Sequence, residues 1–153
     1  MTSLATEFAP GHVGLNVTDL DRSLDFYTAV FGWELKSRGD ADGSRYGFLG
    51  DAERVVVTLW EQSSGAYAND QPGMHHLAFQ VGEISDVLSA EQRVRALGAK
   101  LYHDGIVPHA EGRSSGGIFF EDPDGIRLEI YAPAGVDAHH PAPSGSAPTC
   151  GFF

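Results

Sequence analysis

The hexapeptide HVGLNV at residues 12–17 returns as HLAFQV at residues 76–81: His12 matches His76, Val13 Leu77, Gly14 Ala78, Leu15 Phe79, Asn16 Gln80 and Val17 Val81. A chain that uses one unit twice folds as two like modules, so the repeat limits the architecture more than composition does. In each copy the apolar residues alternate, which makes the segment a strand with one aliphatic face and one face headed by a histidine. An acidic residue and an aliphatic one follow both strands, Asp19-Leu20 and Glu83-Ile84. Thr18 or Asp19 can cap a first helix whose Leu20, Leu24, Tyr27 and Phe31 recur at helical spacing before Gly32. Val87, Val94 and Leu97 mark a second helix, expected to end at Gly98.

Three strands are expected after each helix. In the first copy they fall at 33–37, 46–49 and 55–60, with turns at 39–43 and 50–53; in the second they fall at 100–103, 117–121 and 126–131, with an irregular loop at 104–116. The last two strands flank Asp122-Pro123-Asp124-Gly125, where proline pre-sets one turn angle and glycine tolerates positive φ. The expected fold class is therefore α+β, two tandem βαβββ modules forming curved sheets around a metal-binding cavity. The boundaries are a lead-in at 1–10, the domain at 11–131 (module one 11–61, linker 62–73, module two 74–131) and a flexible C-terminal tail at 132–153. The tail is rich in Pro, Ala, Gly, Ser and His and cannot bury enough apolar area to order itself, although Phe152 and Phe153 could dock on a neighbouring surface.

The chain's 153 residues suit one domain with a core of its own, and 10 Lys and Arg against 21 Asp and Glu give a net charge of -11. That surface repels phosphate backbones and anionic lipid, which argues against nucleic-acid and membrane partners. The single cysteine, Cys150, has no intrachain partner, no segment resembles a signal peptide, and no apolar run reaches membrane-spanning length. A cytoplasmic location is expected.

Strand parity gives the chemistry. With the aliphatic faces turned to the helices, His12, His76 and Glu129 share the opposite face, and two imidazoles with a carboxylate form a set that binds divalent Fe, Mn, Ni, Co or Zn while leaving positions open for water and substrate. On that face Tyr46, Phe48, Trp60 and Phe119 are candidate apolar walls for a small-molecule substrate, and Asn16, Gln80 and Arg127 candidate polar contacts.

HVGLNVTDLDRSLDFYTAVFGW, GMHHLAFQV and DPDGIRLEIY together resemble the vicinal oxygen chelate superfamily, which includes glyoxalase I, extradiol dioxygenases, fosfomycin resistance proteins, methylmalonyl-CoA epimerase and bleomycin resistance proteins. The resemblance covers about residues 11–131 and implies that His12, His76 and Glu129 bind the metal; strand parity turns the adjacent His75 to the helix side, in a supporting or structural role. It implies an enzyme, a dioxygenase or a lyase or isomerase, acting on a substrate with vicinal oxygens. It also implies a homodimer in which His12 joins His76 and Glu129 of the partner, an arrangement that sequence does not separate from closure within one chain. The alternatives are a bleomycin-resistance-type binding protein without catalysis and a fosfomycin-resistance-like transferase.

The departures from the family patterns matter as much. Thr58, a candidate substrate contact, stands where glyoxalase I and the epimerase take a further ligand, and Glu61 has the wrong parity unless a bulge shifts the strand. Phe119 replaces a tyrosine of the extradiol dioxygenases, and His109 lies out of register with their histidine. Gly14 replaces a threonine of the fosfomycin proteins, and EGRSSGG only loosely matches their cation-binding loop. The catalytic residues stay unassigned, with His109 and Glu61 as weak candidates.

Overall fold

The computed structural model describes residues 6–153, so half of the expected lead-in, residues 1–5, lies outside the described residues. Its elements in chain order are β1 (Val13–Val17), α1 (Leu20–Phe31), β2 (Glu34–Ala41), β3 (Ser44–Gly50), β4 (Val55–Glu61), β5 (Leu77–Gln80), α2 (Ile84–Ala96), β6 (Val107–Pro108), β7 (Gly116–Glu121) and β8 (Arg127–Ala132). They form two four-stranded sheets of like topology, β1-β4-β3-β2 and β5-β8-β7-β6. In each sheet the first strand runs parallel to the last, and the last runs antiparallel to the third. The two βαβββ modules are those expected from the repeat.

Local chemistry sets the helix ends. Asp19, not Thr18, caps α1 by accepting from the Arg22 N–H at 3.0 Å, and Gly32 closes it in the left-handed region at φ 71°. α2 ends one residue short of expectation, with Leu97 as its cap and Gly98 beyond it at φ 69°. Val87 and Val94 are buried as the helical spacing predicts, but Leu97 is 47% exposed because it lies past the last helical turn.

Two strand expectations are corrected. The 100–103 segment makes only an isolated bridge, Leu101 to Phe120, since Gly105 at φ 85° bends the chain away. The loop expected at 104–116 contains β6, whose Val107 and Pro108 pair with Gly117 and Gly116. A Cβ on Gly116 would lie 2.9 Å from the Pro108 Cα, so only glycine permits that approach.

The apolar faces of both sheets meet α1 and α2 in one core. Leu15, Val17, Leu49, Val57 and Leu59 from module one and Ile118, Phe120, Leu128 and Ile130 from module two are buried in the same cluster as Leu20, Tyr27, Val87 and Val94. Burial of this order is the main favourable contribution to folding. Because the helix-facing sides of both sheets share that core, the opposite faces, which carry the candidate site residues, turn away from it, and the sheets do not close on one cavity within the chain.

The Asp122-Pro123-Asp124-Gly125 turn fastens the modules together. Asp122 Oδ1 accepts from the Asp124 and Ile126 N–H groups at 2.8 and 2.9 Å, and its Oδ2 accepts from Tyr27 Oη of α1 at 2.8 Å. Asp124 accepts from Arg22 Nη2 at 2.8 Å, from the Thr18 N–H at 3.2 Å and from the Thr18 hydroxyl.

The segment expected as a flexible tail has a defined place in the structure. The Val136 N–H donates to the Ser114 carbonyl at 2.9 Å and the Glu111 N–H to the Gly145 carbonyl at 2.8 Å. Thr149 is fully buried, its N–H donating to the His109 carbonyl at 2.7 Å and its hydroxyl to the Pro108 carbonyl at 2.6 Å. Polar bonds, which hydropathy does not register, hold the segment against module two.

Candidate metal centre

In module two, β5 and β8 lie side by side with Ala78 opposite Glu129, which sets His76, just before β5, beside the glutamate. His76 Nε2 lies 3.4 Å from Glu129 Oε2, and Glu129 is 3% exposed. The other carboxylate oxygen, Oε1, lies 2.6 Å from His109 Nε2. Since an ionised carboxylate only accepts, His109 donates through Nε2, and its Nδ1 lies 2.9 Å from the Ser115 hydroxyl. Glu129 Oε2 and His76 Nε2 are thus the two ligand-type atoms brought together here, while His109 holds the other carboxylate oxygen.

Burial holds the His76 imidazole below its usual pKa of 6.5, opposed by the Glu129 charge and reinforced by His75 and Arg127. His75 Nδ1 and His76 Nδ1 lie 2.9 Å apart, so one of the two carries a proton. A proton on His76 Nδ1 leaves its Nε2 lone pair free for a ligand.

His12 is not brought to this pair. It lies exposed immediately before β1, on the other sheet. Among the described residues, no group of three His, Cys, Asp or Glu side chains is arranged to hold a metal ion.

The remaining candidates divide between the two faces. In module one, Tyr46, Phe48 and Trp60 cluster with ring centroids 5.1 to 6.0 Å apart. A Cβ on Gly39 would lie 2.6 Å from Tyr46 Oη, so the glycine makes room for that ring. Thr58 is buried between them and accepts from Trp60 Nε1 at 3.3 Å. Asn16 accepts from the Gln62 N–H at 3.0 Å and so braces the exit of β4. Glu61 lies away from this face, as its parity predicts, where it accepts from the Leu20 N–H at 2.7 Å and from Arg45 Nη1 at 2.9 Å at the start of α1. In module two, Gln80 accepts from Tyr131 Oη at 3.0 Å, Phe119 is 1% exposed, and Arg127 lies over the Phe153 ring with its Cζ 5.5 Å from the centroid.

Sequence reasoning did not place Tyr102, Ser115 or Phe153 beside this centre. Tyr102 follows the bridge at Leu101 and donates from its N–H to the Phe119 carbonyl at 2.8 Å. Its alternation with Leu101 is the only sequence signal that could have found it, while Ser115 and Phe153 reach the site by loop and tail geometry.

A family model for the Glyoxalase/Bleomycin resistance protein/Dioxygenase superfamily matches residues 9–130. The chain is 27% identical over 134 residues to the catechol-2,3-dioxygenase of Bacillus subtilis (strain 168), covering 86% of this chain and 44% of that protein. It is 31% identical over 128 residues to a lactoylglutathione lyase of Arabidopsis thaliana, covering 78% of this chain and 42% of that protein. The chain thus spans less than half the length of these two curated relatives. Among solved structures, a glyoxylase/bleomycin resistance protein/dioxygenase domain from Frankia sp. EAN1pec superposes with a TM-score of 0.72 at 25% identity, covering 84% of this chain and 99% of that one. The fold is shared with the fosfomycin resistance protein FosX from Listeria monocytogenes, crystallised with Mn(II) and sulfate, at a TM-score of 0.62 and 22% identity over 83% of this chain and 93% of that one. A match that runs through both modules and both copies of the repeat supports one assignment: the chain belongs to the glyoxalase/bleomycin resistance protein/dioxygenase superfamily, the vicinal oxygen chelate proteins.

Proposed function

We propose that the chain is a metal-dependent enzyme of this superfamily, a dioxygenase or a lyase or isomerase, whose site is shared between two copies. His76 and Glu129 of one protomer and His12 of the partner subunit hold a divalent ion, and a small substrate binds there through vicinal oxygens. The observation that carries this reading is the 3.4 Å approach of His76 to Glu129 on a face that His12 of the same chain does not share. A two-fold pair that sets module one of each copy against module two of the other supplies the missing imidazole twice.

When bound, the ion acts as a Lewis acid on the substrate oxygens. The chain's own residues prepare the place. His75 fixes the His76 tautomer, His109 donates to Glu129 and holds the carboxylate in one rotamer, and Ser115 fixes the His109 ring. Tyr46, Phe48 and Trp60 exclude water from the module-one side. That aromatic cluster also favours a second reading, small-molecule binding without catalysis, which keeps the same wall and dispenses with the ion. A fosfomycin-resistance-like transferase shares the fold likeness to FosX and lacks a specific observation of its own.

The test is metal content by elemental analysis of tag-free protein, with His12→Ala, Glu129→Ala and an unfolded-and-refolded mixture of the two. Each variant alone is expected to lose the metal. The mixture is expected to regain about a quarter of wild-type sites, since half the dimers pair one intact His12 with one intact His76 and Glu129. A His12→Ala protein that keeps full metal content excludes the shared site, and metal-free wild type that takes up none moves the binding-protein reading ahead.

A further inference from the structure

The module-two face that carries His76 and Glu129 is covered by the chain itself. After the buried anchor at Thr149, a single 3-10 turn at Thr149–Gly151 directs residue 153 back over the sheet. The Phe153 ring lies 5.3 Å from His76, 4.9 Å from Tyr102 and 5.2 Å from Phe119, the last two edge to face, with the Arg127 guanidinium 5.5 Å from its centroid. Such contacts are individually worth little and together hold a ring in place. Phe152, one residue earlier, is 55% exposed. Cys150 lies within the turn, where burial and then the negative charge of Glu129 push its thiol up from the usual value of 9.0.

We propose that residues 149–153 are an intramolecular strap, with Thr149 as its fixed anchor and Phe153 as its movable head, which occupies the module-two face in the isolated chain and leaves it when that face takes a metal ion or the module-one face of a second copy. This rests on the shared-site reading above. The same side chains cannot both pack against Phe153 and face a partner module, so the two occupants compete. A ligand that binds only the open form loses apparent affinity in proportion to the closed fraction, which makes the strap a brake on metal loading.

The experiment compares wild type, Phe153→Ala, Phe152→Ala and His76→Ala by two readouts: the rate at which an aromatic disulfide reagent labels the Cys150 thiol, and the dissociation constant for Mn(II) by calorimetric titration. Phe153→Ala is expected to raise the labelling rate and to tighten Mn(II) binding, each by about three- to tenfold. Phe152→Ala should leave both at wild-type values, and His76→Ala should abolish Mn(II) binding. An unchanged labelling rate in Phe153→Ala overturns the strap. A raised labelling rate with unchanged Mn(II) affinity, while His76→Ala still loses the ion, overturns its role as a brake. Equal Mn(II) binding by wild type and His76→Ala refutes the metal centre itself and the brake with it, a result separate from the other two.

Discussion

The two modules are copies on the side that faces the helices and strangers on the other. Gly14 and Ala78 are equivalent in the repeat, and so are Asn16 and Gln80; Gly14 pairs with Thr58 as Ala78 pairs with Glu129, and Asn16 with Trp60 as Gln80 with Tyr131. Thr58 is therefore the counterpart of Glu129. One strand further, Phe48 stands opposite Thr58 as Phe119 stands opposite Glu129, while Tyr46 occupies the place of Gly117. On the helix side the equivalent pairs are Val57 with Leu128 and Leu59 with Ile130, all buried aliphatics. Packing constrains one face to volume and hydropathy and leaves the other free to diverge. One module has become an aromatic wall with an exposed histidine, the other a buried carboxylate flanked by imidazoles. Two unlike faces of this kind are what the proposed two-fold pair requires.

The helix side gives the largest expected effects. Leu59→Ala and Ile130→Ala each remove a buried aliphatic from the common core, and each is expected to cost about 2–5 kcal/mol by urea denaturation. Both should unfold in one cooperative transition, because the two positions belong to one cluster. A biphasic transition in either variant, with one module melting first, would break the picture of two modules on a single core.

A smaller effect tests the divergent side. Thr58→Glu gives both modules a carboxylate at the equivalent position. Thr58 is 4% exposed, and its hydroxyl would lie 3.4 Å from a Cβ on Gly14, so the longer side chain should destabilise the protein by about 1–3 kcal/mol. In a shared site the new carboxylate stands beside His12 and should tighten Mn(II) binding by titration. Unchanged or weaker binding would detach the Thr58 position from the centre.

The helix side was also the more legible in sequence. Period-2 alternation and the repeat gave β1, β5 and both helices, because burial on one face writes itself into residue type. His76 and Glu129 could be set on one face by parity, and they meet there. What sequence did not give lies where geometry depends on unpatterned backbone. β6 exists because Gly116 lets Pro108 approach, and His109 reaches Glu129 only after the chain folds back so that the His109 N–H donates to the Ser115 carbonyl at 2.9 Å. The segment ending in Phe153 is held by Thr149 and backbone carbonyls, and no hydropathy pattern anticipates where such bonds lead.

The finest test of the comparison uses the turns that join the last two strands of each module. In module one, Asp51 Oδ1 accepts from the Glu53 and Arg54 N–H groups at 2.9 and 3.0 Å; in module two, Asp122 Oδ1 accepts from the Asp124 and Ile126 N–H groups at 2.8 and 2.9 Å. Each Oδ1 takes two backbone N–H groups from the turn that follows it, and the surroundings are opposite. Those backbone N–H groups hold the exposed Asp51 below the usual carboxylate value of 3.8. Burial raises Asp122 above it, against the Ile126 N–H, the Tyr27 hydroxyl and the Asp124 N–H. The linkage signs therefore differ. Asp51 contributes stability above pH 3.8 that is lost as pH falls through its depressed folded value, whereas the contribution of Asp122 is complete below pH 3.8 and is lost as pH rises through its raised folded value. Urea denaturation from pH 3 to pH 7, run on wild type, Asp51→Asn and Asp122→Asn, measures both. Relative to wild type, Asp51→Asn should lose ground as pH rises toward 3.8, and Asp122→Asn should gain ground as pH rises above it. Slopes of the same sign in the two variants would mean that burial does not distinguish the turns, and that the Tyr27 bond to Asp122 joins the modules through a carboxylate as well solvated as its counterpart.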